Sequence, residues 1–286
     1  RPRRALHRAL SDARAARGGA AIPPADPSLL AAARDAVRAA RRVTVLSGAG
    51  ISTDSGIPDF RGPAGVWTRD PDAERASTLS HYLAEPGLRR AAWRNRARWF
   101  ARDPVPNAGH AAIVALERRG VLRGVVTQNV DGLHQRAGTD PALVHEVHGS
   151  ILSTRCWGCG DRRPMPEALA RVAAGEDDPP CRACGGILKS DTILFGQSLE
   201  PAVIDAALRA AEDCDVLLAV GSTLSVYPAA NCVPRARAAG ARVVIVNGQP
   251  TEMDGHAEIA IVASLSEALP VICDAPAAPA RGPAVG

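Results

Sequence analysis

The sequence predicts an α/β fold: a Rossmann-like, doubly wound parallel sheet that carries a smaller module made of a four-cysteine zinc ribbon and a helical insertion. Three observations predict it. Short apolar, β-branched runs alternate with helical stretches, the pattern of strands buried on both faces beneath crossover helices. The first run enters a glycine-led turn at Gly48, Ala49 and Gly50. Residues 61–106 and 150–189 break the rhythm, and the second stretch holds two Cys-x-x-Cys pairs.

A chain of 286 residues suits one large domain carrying a smaller one. Hydrophobic residues at 46% and charged residues at 22% exclude a wholly disordered chain. Every apolar stretch is too short or too interrupted for a helical membrane span. Six Arg and a single acid, Asp12, crowd into Arg1–Arg17, so the rest of the chain is close to neutral. The basic excess is therefore a tail rather than a domain face, and neither nucleic acid nor membrane is expected as a partner. Lys189 is the only lysine.

The elements follow in order. Residues 1–25, rich in Arg and Ala, read as a flexible basic leader of a cytoplasmic bacterial protein. A mitochondrial transit peptide, and hence the matrix, is the alternative. Asp26 before Pro27 is a helix N-cap with proline in the first turn, and Leu29, Leu30, Ala33, Val37 and Ala40 follow at helical spacing. Strands are expected at Val43–Leu46, Gly124–Thr127, Asp215–Val220, Arg242–Val246 and Glu258–Val262, with helices at Pro201–Glu212 and Pro228–Ala239. Residues 26–60, 107–149 and 190–273 thus form the sheet domain. The Arg- and Trp-rich 61–106 and the cysteine-bearing 150–189 form the small one. Residues 274–286, built of Pro, Ala and Gly, read as a disordered tail.

Cys156, Cys159, Cys181 and Cys184 form two pairs separated by 21 residues, each followed by glycine. Without a secretory segment this spacing points to zinc rather than disulfides. Four thiolates saturate a tetrahedral ion and leave no position for water or substrate, so the zinc is structural. The loops between the pairs lack the basic and aromatic interleaving of a nucleic-acid ribbon. Cys214, Cys232 and Cys273 lie in apolar or helical surroundings and read as small buried hydrophobes.

The turn after Val43–Leu46 suggests a dinucleotide cradle, in which backbone N–H groups and a helix N-terminus meet phosphate. Thr53 stands where a third glycine would be expected, and the acids at the right spacing, Asp70 and Asp72, fall inside the helical insertion. The loop thus suggests NAD while arguing against ordinary hydride transfer.

Gly48–Ser52 continues into Ser55–Gly62. Thr127, Gln128, Asn129, Asp131 and His134 follow a strand, and His148 with Gly149 precedes the cysteines. Gly221–Leu224 with Pro228 closes another strand, and Asn247 closes the next. Over about residues 28–272 the chain resembles the sirtuins, the NAD-dependent protein lysine deacylases, with these motifs in the family's order.

The resemblance implies a Rossmann-like NAD-binding domain and acylated-lysine proteins or peptides as substrates, with NAD as co-substrate. It implies that Gly48, Ala49, Gly50, Ser52 and Arg61 line the phosphates and the loop over them. Ile57, Asp59 and Asp131 form the nicotinamide pocket, and Phe60 shields the reacting face. Gln128 and Asn129 hold the nicotinamide ribose and position water; Asn129 and His148 are the catalytic pair. Gly221, Ser222 and Asn247 take phosphate and adenine ribose, and Leu265 lies near the adenine. His148 is the base for the ribose 2′-hydroxyl, because imidazole titrates near neutrality. His134 and His145 read as packing residues. The implied products are nicotinamide, free lysine and O-acyl-ADP-ribose.

Two departures bear on specificity. Ser190–Gln197 replaces a family stretch close to Pro-x-Val-Val-x-Phe-Gly-Glu, ending in Gln where the family has Glu. Val66 and Arg69 stand where succinyl-removing members carry Tyr and Arg, so half of that anion clamp is gone and succinyl-lysine is disfavoured. Trp93, Asn95 and Trp99 look like the branch associated with weak deacetylation, longer acyl or lipoyl groups, and ADP-ribosyl transfer. Protein mono-ADP-ribosyl transfer from the same pocket and a non-catalytic NAD sensor are the alternative readings.

Overall fold

A computed structural model describes residues 22–59 and 65–275 of the chain. Phe60 and Arg61 lie outside the described residues, as do most of the leader and of the C-terminal tail.

The large sheet has six strands, β1 (Val43–Ser47), β2 (Leu122–Thr127), β3 (Val144–Glu146), β7 (Val216–Val220), β8 (Arg242–Asn247) and β9 (Ile259–Val262). They lie in the order β3-β2-β1-β7-β8-β9, and every neighbouring pair is parallel. Counted within this sheet the order is 3-2-1-4-5-6, whose direction of winding reverses between β1 and β7. In such sheets the reversal opens a crevice at the carboxyl ends of the strands.

The strand sequences explain the two-sided burial. Val43, Val45, Val125, Leu218 and Val220 face one core, and Leu46, Val126, Leu217 and Ala219 face the other. Each such Val or Leu contributes roughly 1.5–3 kcal/mol on burial. Helices Pro27–Ala39, Ala108–Arg118 and Leu265–Ile272 cover the first face, and Pro201–Glu212 and Cys232–Ala238 the second. Asp26 caps the first helix as its sequence predicts, accepting from the Ser28 N–H at 2.8 Å.

The small module is a three-stranded antiparallel sheet in the order β5-β4-β6, from β4 (Gly149–Cys156), β5 (Arg162–Pro164) and β6 (Leu188–Thr192). The insertion forms helices Val66–Arg69, Pro71–Ala76, Leu79–Ala84 and Pro86–Arg102. Fully buried Trp93 packs there with Cys156, Met165, Ala168, Cys181 and Leu188. The Tyr82 hydroxyl donates to the Leu188 carbonyl at 3.0 Å, tying the insertion to the ribbon.

Some elements differ from expectation. The helix expected from Pro228 opens as a 3₁₀ turn, Ala229–Asn231, before Cys232–Ala238. β3 is three residues long, and β4 places Ile151 and Leu152 side by side between Ser150 and Ser153, so neither shows an alternating apolar period in sequence. Among the described residues no helix is long and apolar enough to cross a membrane.

Candidate functional site

The crevice is built where β1 and β7 end. The Gly48 N–H donates to the Val220 carbonyl at 3.0 Å, and the Gly50 N–H to the Gly221 carbonyl at 2.8 Å. This approach admits no side chain: a Cβ on Gly48 would lie 2.7 Å from the Gly221 oxygen, and one on Gly221 2.5 Å from the Ile51 nitrogen. Gly221 also sits at φ +63°, a left-handed conformation that glycine adopts without a Cβ clash. Beyond Gly48 the chain makes a 3₁₀ turn, Ala49–Ser55, in place of the expected α-helix. The Thr53 hydroxyl donates back to the Gly50 carbonyl at 3.0 Å, which gives that non-glycine residue a local role. Leu265 packs beneath Gly221, with its Cδ1 2.8 Å from where a Gly221 Cβ would stand, and belongs to the core of that face.

Polar side chains from the ends of β1 and β2 interlock in the crevice. Asn129 Nδ2 donates to the Gly48 carbonyl and to Ser52 Oγ, both at 3.2 Å. Ser52 Oγ in turn donates to Asp131 Oδ2 at 2.7 Å, while Asp131 Oδ1 accepts from the Leu133 N–H at 2.9 Å. Burial pushes the Asp131 carboxyl above its ordinary value despite these two bonds. Gln128 Nε2 reaches across to β7 and donates to Ser222 Oγ at 2.8 Å. Ile57 and Asp59 are half-buried on the segment after the 3₁₀ turn, where the Ile57 N–H donates to the Ser52 carbonyl at 3.3 Å.

His148 follows β3, and its Nδ1 lies 3.0 Å from the Gln128 carbonyl oxygen. Burial lowers its pKa below the ordinary 6.5, and the carbonyl only partly opposes that shift. Asn247 ends β8, 7% exposed, with its Nδ2 donating to the Gln249 carbonyl at 2.9 Å. The predicted residues that the structure describes thus fall at the carboxyl ends of strands β1, β2, β3, β7 and β8, with Leu265 beneath them. Thr127, present in the sequence motif without an assigned role, also contributes: its Oγ1 accepts from the Asn129 N–H at 3.1 Å.

The four ribbon cysteines converge. Their sulfurs all lie within 4.8 Å of one another, with Cys156 to Cys184 at 3.5 Å and Cys159 to Cys181 at 3.7 Å. Tetrahedral zinc with Zn–S bonds of about 2.3 Å separates its sulfurs by about 3.8 Å, whereas a disulfide needs about 2.0 Å. The spacing fits zinc. Cys214, Cys232 and Cys273 are buried elsewhere, where desolvation pushes their thiols up to about 11, 12 and 12. The crevice likewise fits a dinucleotide: side-chain-free backbone at Gly48, Gly50 and Gly221, with buried polar groups around it.

The Sir2 family matches residues 48–228. NAD-dependent protein deacetylase 2 of Streptomyces coelicolor is 50% identical over 230 residues, which cover 80% of this chain and 95% of that protein. A solved structure described as the structural basis for the mechanism and regulation of Sir2 enzymes aligns with a TM-score of 0.77 and 36% identity, covering 86% of this chain and 96% of that one. Sir2Af2 bound to a myristoylated histone peptide aligns with a TM-score of 0.70 and 32% identity, covering 87% and 96%.

Proposed function

This chain belongs to the Sir2 family and is an NAD-dependent protein lysine deacylase with a structural zinc, and from that premise we propose how its residues divide the work. Bound NAD would supply a ribose carbon that gives up nicotinamide and receives the acyl-lysine oxygen, and one water would complete the transfer, so that nicotinamide, free lysine and O-acyl-ADP-ribose leave. The observation that carries the assignment is the convergence of Ser52, Asn129, Asp131 and His148 from three strand ends on one crevice.

Asp131 and Ile57 form the nicotinamide pocket in this reading. The bonds from Ser52 and the Leu133 N–H orient the Asp131 carboxylate, and its remaining lone pairs accept from a carboxamide. Asn129, held by Gly48 and Ser52, presents its amide oxygen to the ribose or to water. Gly48, Ala49, Gly50, Gly221 and Ser222 hold the phosphates, and Asn247 the adenine ribose, with Leu265 supporting that end from below. Asp59 completes the nicotinamide pocket with Ile57 and Asp131. His148 takes the proton of the 2′-hydroxyl on Nε2.

We place the acyl-lysine segment extended along Ser190–Gln197, where backbone pairing holds a peptide without regard to its side chains. This stretch is fixed to the base: the Ile193 N–H donates to the His148 carbonyl at 2.8 Å. We assign NAD binding to residues 26–60, 107–149 and 190–273, and substrate-side closure to 61–106 and 150–189. A cytoplasmic location is supported by the ribbon, whose four thiolates need a reducing compartment. Mass spectrometry with NAD and a panel of acyl-lysine peptides tests the function. Peptide-dependent nicotinamide and O-acyl-ADP-ribose are expected, and protein labelling without acyl-ADP-ribose would replace deacylation by ADP-ribosyl transfer.

A further inference from the structure

Beneath the crevice lies a group of buried polar residues that the chemistry above does not use. His134 is 1% exposed and His110 is fully buried, and their rings meet edge to face with centroids 5.1 Å apart. His134 Nε2 lies 2.8 Å from Ser47 Oγ, and Ser47 Oγ donates to Thr127 Oγ1 at 2.9 Å. Thr127 Oγ1 also accepts from the Asn129 N–H. His134 Nδ1 and His110 Nε2 are buried and have no hydrogen-bond partner.

Counting protons assigns each donor. Ser47 has one hydroxyl proton and spends it on Thr127, so at His134 it can only accept. His134 therefore carries its proton on Nε2, and its Nδ1 is a bare acceptor. At His110, Nδ1 lies 3.3 Å from the Asn107 nitrogen, whose N–H donates to it and closes a capping box at the start of helix Ala108–Arg118, and 3.2 Å from Asn107 Oδ1, which already accepts from the Gly109 N–H at 2.9 Å. The backbone N–H can only donate, whereas Asn107 Oδ1 is already engaged by Gly109, so the capping bond selects Nδ1 as the bare nitrogen of His110 and leaves its proton on Nε2. The two orphaned atoms are thus one donor and one acceptor, on rings already in contact. The terminal torsion of histidine is soft, so a small ring rotation pairs them.

We propose that His110, His134, Ser47 and Thr127 form a neutral, one-directional hydrogen-bond relay that positions Asn129, with His134 as its central positioning residue. The relay runs from the capping box through both imidazoles and two hydroxyls and ends on the hydroxyl that receives the Asn129 N–H. It holds the corner between β2 and Asp131 in one geometry while Asn129 Nδ2 reaches Gly48 and Ser52. Removing the Nε2 donor frees Ser47 to turn, releases Thr127, and lets Asn129 drift from the ribose.

The inference rests on Asn129 acting at the ribose, so the test carries that residue as its own control. Deacylation is measured for the wild type, Asn129→Ala, His134→Phe and His134→Gln, together with thermal stability. Nitrogen-detected NMR of the histidines reads the tautomers. The glutamine amide places a donor where His134 Nε2 stands. We expect His134→Phe to lower kcat about 10- to 100-fold, as small misplacements of positioned groups do, with a smaller change in KM for NAD. His134→Gln should recover most of the rate at comparable stability, and both rings should be neutral with the proton on Nε2. Full kcat in His134→Phe, or loss in both variants in step with their stability, overturns the relay. So does a proton on His134 Nδ1. Full activity in Asn129→Ala overturns instead the ribose role on which it rests.

Discussion

His148 Nδ1 and the Gln128 carbonyl oxygen lie 3.0 Å apart, and that bond fixes which nitrogen keeps its lone pair. A carbonyl only accepts, so Nδ1 carries the proton and Nε2 presents a lone pair. The Gln128 side chain meanwhile reaches Ser222, so one residue orients the imidazole with its backbone and ties the end of β2 to the end of β7 with its amide.

As the proposed base His148 must be neutral to act, and burial holds its pKa below 6.5. We therefore predict that kcat/KM is flat near neutrality and falls only below about pH 6.5, on a limb that reports the free enzyme's base. A rate profile over pH 5–9 checks it. An acid limb centred well above pH 7 would contradict the assignment.

Stability should fall in acid for a separate reason. Desolvation lowers His110 to about 4 and His134 to about 3, from an ordinary 6.5. The unfolded chain binds those protons at higher pH than the folded one. The stabilisation is thus complete above pH 6.5 and lost as pH falls from there through the folded values. Calorimetry should show Tm dropping from pH 7 to pH 5, with a shallower drop in His134→Gln. An equal slope in that variant would remove His134 from the account.

Gly221→Ala should damage both fold and cofactor binding. The left-handed backbone alone costs about 1–3 kcal/mol for a residue with a Cβ, and that Cβ would lie 2.5 Å from the Ile51 nitrogen. The loops after β1 and β7 must then part. Calorimetry and NAD titration together should show a lower Tm and weaker binding; unchanged NAD affinity would move the phosphates elsewhere.

Cys181→Ser should release the zinc and loosen the module around Trp93, which shares its cluster with Cys156 and Cys181. Metal analysis and tryptophan fluorescence read the two effects. A closed ion supports the substrate side rather than the chemistry, so NAD binding should outlast zinc loss. Zinc retained in this variant would argue against four-thiolate ligation.

The position of several candidate site residues was legible because they sit at punctuation marks. Gly48 and Gly221 follow strands and Asn247 closes one, and those strand ends show in sequence as an apolar run stopping at a small or polar residue, whereas the role expected of His148 came from the family resemblance. What was not legible were pairings across the chain. Nothing near Gly48 announces that Gly221 is the backbone it touches, since that contact depends on the order of strands. Edge strand β3 has only three residues, too few for a period. His134 read as a packing residue, and it is buried as that reading requires. Its bond to Ser47 spans 87 positions and becomes visible only once β1 and β2 are side by side.

The most direct test of the central claim compares the wild type with His148→Ala for O-acyl-ADP-ribose formed from NAD and an acyl-lysine peptide, with zinc content and Tm measured on the same samples. The account predicts product loss of about 10²–10⁴-fold, the usual worth of a positioned general base, with zinc and Tm unchanged. Product formed at the wild-type rate by a folded, zinc-loaded variant would contradict it.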